Sequence, residues 1–198
     1  MPRSFAVTFD YRCPYARIAH DHIVGGLRAG ASWDVRFLPF CLGQAHVDEG
    51  RPSVWDDPER DSGIFALQVA LAVRDDHPGA FLDVHHGLFE LRHRHSGDLR
   101  DRVAVGAVLT AAGLDPGPIF ATVDDGKVLP TVRAEHEQFV ASHQVWGVPT
   151  FIAGDAAVFV RLLDLPADGT EAVRTIERVL DQVEWPILNE LKHTSVPR

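Results

Sequence analysis

The sequence predicts an α/β protein: a βαβ unit at the start and a β-hairpin with a closing helix at the end, around a long helical block. Three observations carry this. Ser4 to Phe9 (SFAVTF) alternates and is aromatic and β-branched, as a half-buried strand is. VPTFIAGDAAVFV, residues 148 to 160, repeats that pattern as two short runs about Gly154-Asp155. Between them, residues 60 to 114 carry helical periodicity and little strand character.

The elements follow in order. From Pro14 the apolar positions Tyr15, Ile18, Ala19, Ile23 and Leu27 lie on one face of a helix that runs out near Gly30. Pro14 suits its first turn, where a missing N–H costs nothing. WDVRFLPF, Trp33 to Phe40, is the second strand, parallel to the first through a right-handed crossover. Pro52 to Pro58 is a turn-rich bridge. Three helical stretches follow at 60–76, 79–95 and 98–114, punctuated by Gly79, Gly97 and the DPGP at Asp115 to Pro118. A further helix spans about Leu129 to Val145. After Thr170, Val173, Ile176, Val179, Leu180 and Val183 line one face of the last helix.

A chain of 198 residues is long enough to bury a full core as one domain, or as one domain with an insertion. Hydrophobic residues at 45% and charged residues at 24% describe an ordinary globular protein. The net charge of -9 lacks the basic balance that suits phosphate backbones or anionic lipid, so no nucleic-acid partner is expected. No apolar run approaches the ~20 residues of a membrane helix, so no membrane partner is expected. MPRSFAVTFDYRCP has no signal-peptide pattern, and a cytoplasmic location follows as the expectation. Cys13 and Cys41 are the two cysteines. They make no disulfide framework and no metal-type Cys-x-x-Cys pair.

Cys13-Pro14-Tyr15 opening the first helix and Gly147-Val148-Pro149-Thr150 opening the hairpin, in this element order, resemble the thioredoxin fold (β-α-β … β-hairpin-α). The large helical insertion is similar to the DsbA-like branch, which includes disulfide oxidoreductases, kappa-class glutathione transferases and 2-hydroxychromene-2-carboxylate isomerases. EWPILNELKHT at the end looks like the tail of relatives of mycothiol-dependent reductases. The resemblance implies a discontinuous thioredoxin-like domain, 1–57 and 127–198, with the insertion at 58–126. It also implies a cis Val148-Pro149 peptide facing Cys13, with the Val148 backbone offering N–H and C=O to a bound thiol or peptide. Ala16 stands where dithiol members carry a second cysteine, and Cys13 stands where the transferases and isomerases carry serine.

At a helix N-terminus, unpaired N–H groups and the positive dipole end favour a thiolate. Arg12 and Arg17 bracket Cys13, so a lowered pKa is expected there, with Pro14, Tyr15, Arg17, Trp146, Val148 and Pro149 around the bound thiol. A lone thiol cannot release its own mixed disulfide. A low-molecular-weight thiol, mycothiol or glutathione, is one route of release, acting as a co-substrate with no tightly bound cofactor. In a second, Cys13 only holds or activates that thiol, as serine does in the transferases and isomerases. The third is Cys41 as resolving thiol, since both cysteines leave the same edge of neighbouring parallel strands. The leading expectation is an intracellular thiol-dependent oxidoreductase acting on a disulfide or electrophilic substrate. A kappa-like transferase or isomerase and a non-catalytic binding protein are the rivals, and a homodimer is left open.

Tyr15, Phe40, Trp55 and Trp146 are candidates to wall an apolar pocket. Val160-Arg161-Leu162-Leu163 replaces the glycine and small polar residues of glutathione-using relatives, which makes Arg161 a candidate holder of another anionic group. His86, Glu90 and His93 form one helical stripe, read as a solvated face, and no metal site is expected. His22 is expected to pack with one bonded nitrogen. His20 is a candidate base only if the pocket reaches it.

Overall fold

The computed structural model describes residues 2–188, 190 and 193; the EWPILNELKHT stretch therefore lies partly outside the described residues. Four strands form one sheet in the order β2-β1-β3-β4, with β1 Arg3–Phe9, β2 Trp33–Pro39, β3 Thr150–Ala153 and β4 Ala156–Phe159. β1 runs parallel to β2, pairing Phe9 with Pro39, and antiparallel to β3. The last five residues of β1 are buried, as expected of an inner strand covered on both faces. β3 and β4 close through the two-residue turn predicted, with Gly154 at φ 57.

Eight helices are described: α1 Pro14–Arg28, α2 Leu42–Ala45, α3 Ile64–Asp76, α4 Phe81–His93, α5 Arg102–Ala111, α6 Pro116–Asp124, α7 Val128–His143 and α8 Gly169–Val183. α1 packs on α8, which lies along β3 and β4, while α7 reaches β2. Arg3 at the start of β1 pairs with Glu177, Asp181 and Glu184 on α8. Trp33 donates to Glu177 at 2.6 Å. Its indole also fills the space where a Cβ on Gly26 of α1 would stand, 2.4 Å away, so α1 and β2 meet only because that residue is glycine. α3 is buried from Ile64 through Val73 at all but one position, as befits a helix apolar all round.

Two elements depart from the sequence reading. DPGP begins a helix where a break was expected: Asp115 caps Gly117 N at 3.0 Å and Pro116 opens α6. The buried stripe of α1 is also rotated, since Ala16, Ala19, His20 and Ile23 are sealed while Tyr15, Ile18 and Leu27 are half-buried. A hydrophobicity count leaves out His20, and its burial has a specific cause.

That cause is a closed hydrogen-bond chain. His20 Nε2 meets the Thr8 carbonyl at 3.1 Å, His85 Nε2 meets His20 Nδ1 at 2.8 Å, and Tyr11 Oη meets His85 Nδ1 at 2.8 Å. The carbonyl can only accept, so His20 carries its proton on Nε2 and accepts at Nδ1 from His85. His85 then accepts at Nδ1 from the Tyr11 hydroxyl. Both rings are neutral, every polar atom is satisfied, and β1, α1 and α4 are joined through the core. His22 keeps one bonded nitrogen, as expected, with Nε2 3.0 Å from the Asp164 carbonyl.

Burial pushes His20 down to about 4 and His85 well below the usual imidazole range; His136 on α7 is likewise pushed down to about 4. The unfolded chain takes up protons first, near pH 6.5. Stability is therefore complete above that pH and is lost as pH falls toward 4. Each histidine held at about 4 removes about 3 kcal/mol by pH 4. Urea midpoints measured from about pH 7.5 down to about 4.5 should be level at first and then fall. In His136→Asn the fall should be shallower by nearly one proton.

Candidate active site

The site is built where β1 and β2 both end. Asp10, fully buried just past β1, accepts from Arg12 N at 2.9 Å, Arg12 Nε at 3.0 Å and Arg12 Nη2 at 2.7 Å. It also accepts from Leu42 N at 2.9 Å, beyond β2. The other arm of Arg12 donates to Asp61 at 2.8 Å. The second oxygen of Asp61 caps the start of α3 through Gly63 N and Ile64 N. Glycine is required around this clamp: a Cβ on Gly43 would lie 1.8 Å from Asp61 Oδ2, and one on Gly63 2.7 Å from Arg12 Nε.

The turn so held delivers Cys13 to the N-cap of α1, with Pro14 opening the helix. Cys13 Sγ lies 3.4 Å from Ala16 N, which donates to it, and 3.4 Å from the Val148 carbonyl, to which the thiol donates. The Val148–Pro149 peptide is cis. Its loop is fastened to β1 by a hydroxyl that sequence reasoning passed over: Thr150 N donates to Thr8 Oγ1 at 2.9 Å, and Thr8 Oγ1 donates to the Gly147 carbonyl at 3.4 Å, which Thr150 Oγ1 also reaches at 2.8 Å.

The electrostatics correct the expected lowered pKa. Burial pushes the Cys13 thiol above its ordinary value; the N–H groups of Ala16 and Tyr15 and the charge of Arg161 oppose it without winning. Neither bracketing arginine serves the sulfur. Arg12 is spent on Asp10 and Asp61, and Arg17 binds Glu90 at 2.6 Å and Asp21 at 3.6 Å. The helpful cation is Arg161, just beyond β4, whose guanidinium lies 4.5 Å over the Tyr15 ring. No local sequence signal places it there; the hairpin brings it across.

Cys41 does leave the same sheet end, at the N-cap of α2, yet it is fully buried and pushed up to about 12 by burial, then by Asp61. Both cysteines are free thiols. Cys41 thus sits in the hydrophobic core, where its thiolate is disfavoured. Ala16 is sealed as well.

Of the four candidate pocket aromatics, Phe40, Trp55 and Trp146 line one groove, whereas Tyr15 lies apart under Arg161. The His86-Glu90-His93 stripe divides: His93 Nε2 turns to the Tyr11 carbonyl at 2.8 Å, and His86 and Glu90 meet Asp21 with Arg17 among them. That guanidinium bridges the two carboxylates, and Arg94 adds a second cation to Glu90 at 3.1 Å. His20 is locked in the core chain and is no base.

A family model described as DSBA-like thioredoxin domain matches residues 6–168. The chain belongs to this family. Solved structures share its fold. A periplasmic thioredoxin-like protein from Salmonella enterica serovar Typhimurium is 20% identical, with a TM-score of 0.61 over 91% of this chain and 86% of that one. The thiol-disulfide exchange protein alpha-DsbA2 from Wolbachia pipientis is 18% identical, with a TM-score of 0.59 over 91% and 81%. Pseudomonas aeruginosa DsbA is 18% identical, with a TM-score of 0.56 over 90% and 82%. No curated protein matches. In this member a single thiol, Cys13, stands at the start of the first helix, with Ala16 one turn on.

Arg12→Ala should leave Asp10 and Asp61 buried and unpaired, costing about 3–5 kcal/mol in urea denaturation. Arg12→Lys should recover only part of that, because an ammonium cannot span both carboxylates as a guanidinium does.

Proposed function

We propose that this protein is a thiol-disulfide oxidoreductase that works with one cysteine, Cys13, and a low-molecular-weight thiol as resolving partner. The observation that carries the reading is the placement of Cys13 Sγ between a helix-start N–H and the Val148 carbonyl, with the second thiol sealed away. An incoming sulfur replaces the S–H···O contact to Val148 and lies along a backbone able to pair with an extended ligand. The Cys13 thiolate attacks a substrate disulfide, forming a mixed disulfide and expelling one substrate thiolate. A small thiolate then attacks that mixed disulfide, carries off the remaining substrate sulfur and restores Cys13. Arg161 on Tyr15 is the cation available to the small thiol, to pair with a carboxylate of glutathione or to donate to the carbonyl and hydroxyl oxygens of mycothiol.

The neutral, hydrogen-donating state of Cys13 favours a second reading. As in a kappa-like transferase or an isomerase, the thiol would donate its hydrogen bond to the thiolate of a bound small thiol and form no covalent bond. Cys13→Ser separates the two. In the first reading turnover is abolished, and mass spectrometry of the wild-type protein treated with a small-thiol disulfide shows one adduct on Cys13. In the second, the serine variant turns over and no adduct forms.

The raised pKa predicts that iodoacetamide alkylation of Cys13 keeps rising about tenfold per pH unit through about pH 8.5. In Arg161→Ala that profile should move to higher pH. The same variant should raise KM for the small thiol about three- to fivefold, as loss of one exposed charge contact does.

A further inference from the structure

The loop that leads to Pro149 also forms one wall of a groove of about 440 Å³ lined by Phe40, Trp55, Val140, Val145 and Trp146, with His136 among them. The volume lies in the range of small-molecule sites. The groove's outer side is unusually apolar for a surface, with Trp146 66% exposed and Val140 40% exposed. Trp146 is held there by stacking on Phe159, ring centres 4.5 Å apart.

His136 is the informative residue. It is 5% exposed, with its ring 4.5 Å from Phe40 and 5.4 Å from Trp55. Its Nδ1 accepts from Cys41 N at 3.2 Å. A backbone N–H can only donate, so Nδ1 is bare and the proton sits on Nε2. Among the described residues Nε2–H has no hydrogen-bond partner, although the residue lines the groove. Of the other polar groups there, Gln44 spends its side-chain oxygen on Ser53 Oγ and Val54 N, and Glu137 is held by Arg133 at 2.8 Å.

We infer that this groove binds a neutral, planar aromatic molecule carrying a carbonyl-type oxygen, which accepts the hydrogen bond of His136 Nε2–H. Aromatic walls select a flat apolar body. A neutral donor on a nearly buried ring selects an acceptor and leaves nothing to balance a charge. The site makes no use of the Cys13 sulfur, so binding is measured on Cys13→Ser as well as on the unsubstituted protein, and its outcome is separate from the thiol reading.

The test is titration calorimetry with 2-acetylnaphthalene and 2-ethylnaphthalene, which match in shape and differ in the oxygen. The ketone should bind about five- to tenfold tighter, as one neutral hydrogen bond allows. In His136→Asn, whose side-chain oxygen still accepts from Cys41 N, that ratio should fall to about one, and Trp146→Ala should weaken both ligands. Because His136 belongs to the core, ¹⁵N NMR of histidine-labelled unsubstituted protein gives an independent reading: the ketone should shift one Nε2 resonance and the hydrocarbon should not. Failure of either ligand to bind, equal affinity for the two, or a ratio unchanged in His136→Asn would each overturn the assignment.

Discussion

Arg12 between Asp10 and Asp61 is the interaction on which the remainder of the site rests. Two carboxylates, 0% and 3% exposed at their side chains, share one guanidinium. Charges taken this far from water persist only when every lone pair finds a donor. Asp10 meets that condition through Arg12 and Leu42 N, and Asp61 through Arg12 and the first N–H groups of α3. The ends of β1 and β2 and the first long helix of the insertion are thereby fastened at one point. Cys13 follows immediately, so the position of its sulfur is inherited from a charge clamp.

That arrangement explains why a helix N-terminus does not by itself produce a thiolate here. The N–H groups of Ala16 and Tyr15 act as the helix-start argument requires, but the cations close in sequence are already engaged, and burial outweighs what is left. The result is a thiol that donates to Val148 rather than an anion that waits for substrate. Arg161, exposed and resting on Tyr15, is the adjustable part of this balance.

Histidine serves two different ends in the same core. His20 and His85 are locked into a directed chain from the Tyr11 hydroxyl to the Thr8 carbonyl, and all their polar atoms are consumed in joining α4 to the sheet and to α1. His136 consumes only one nitrogen and leaves the other facing an aromatic groove. Burial keeps all three neutral, but only the last has something to offer a ligand.

The sequence by itself determined the element order, the parallel β1–β2 pair, the hairpin turn at Gly154-Asp155 and the position of Cys13 at a helix start. Each of these rests on local information: side-chain periodicity, a proline in a first helical turn, or a glycine at a turn; Pro149 opposite Cys13 is instead what the family resemblance implies. Tertiary structure decided the rest. It rotated the buried face of α1 onto His20, diverted Arg12 and Arg17 into ion pairs, sealed Cys41, and brought Arg161 over Tyr15 from about 145 residues away. The physical reason is common to them all. Whether a polar or ionisable side chain is buried, paired or reactive depends on partners from distant positions as well as near ones: Asp10 and Asp21 lie close to Arg12 and Arg17 in sequence, but Asp61 and Glu90 do not.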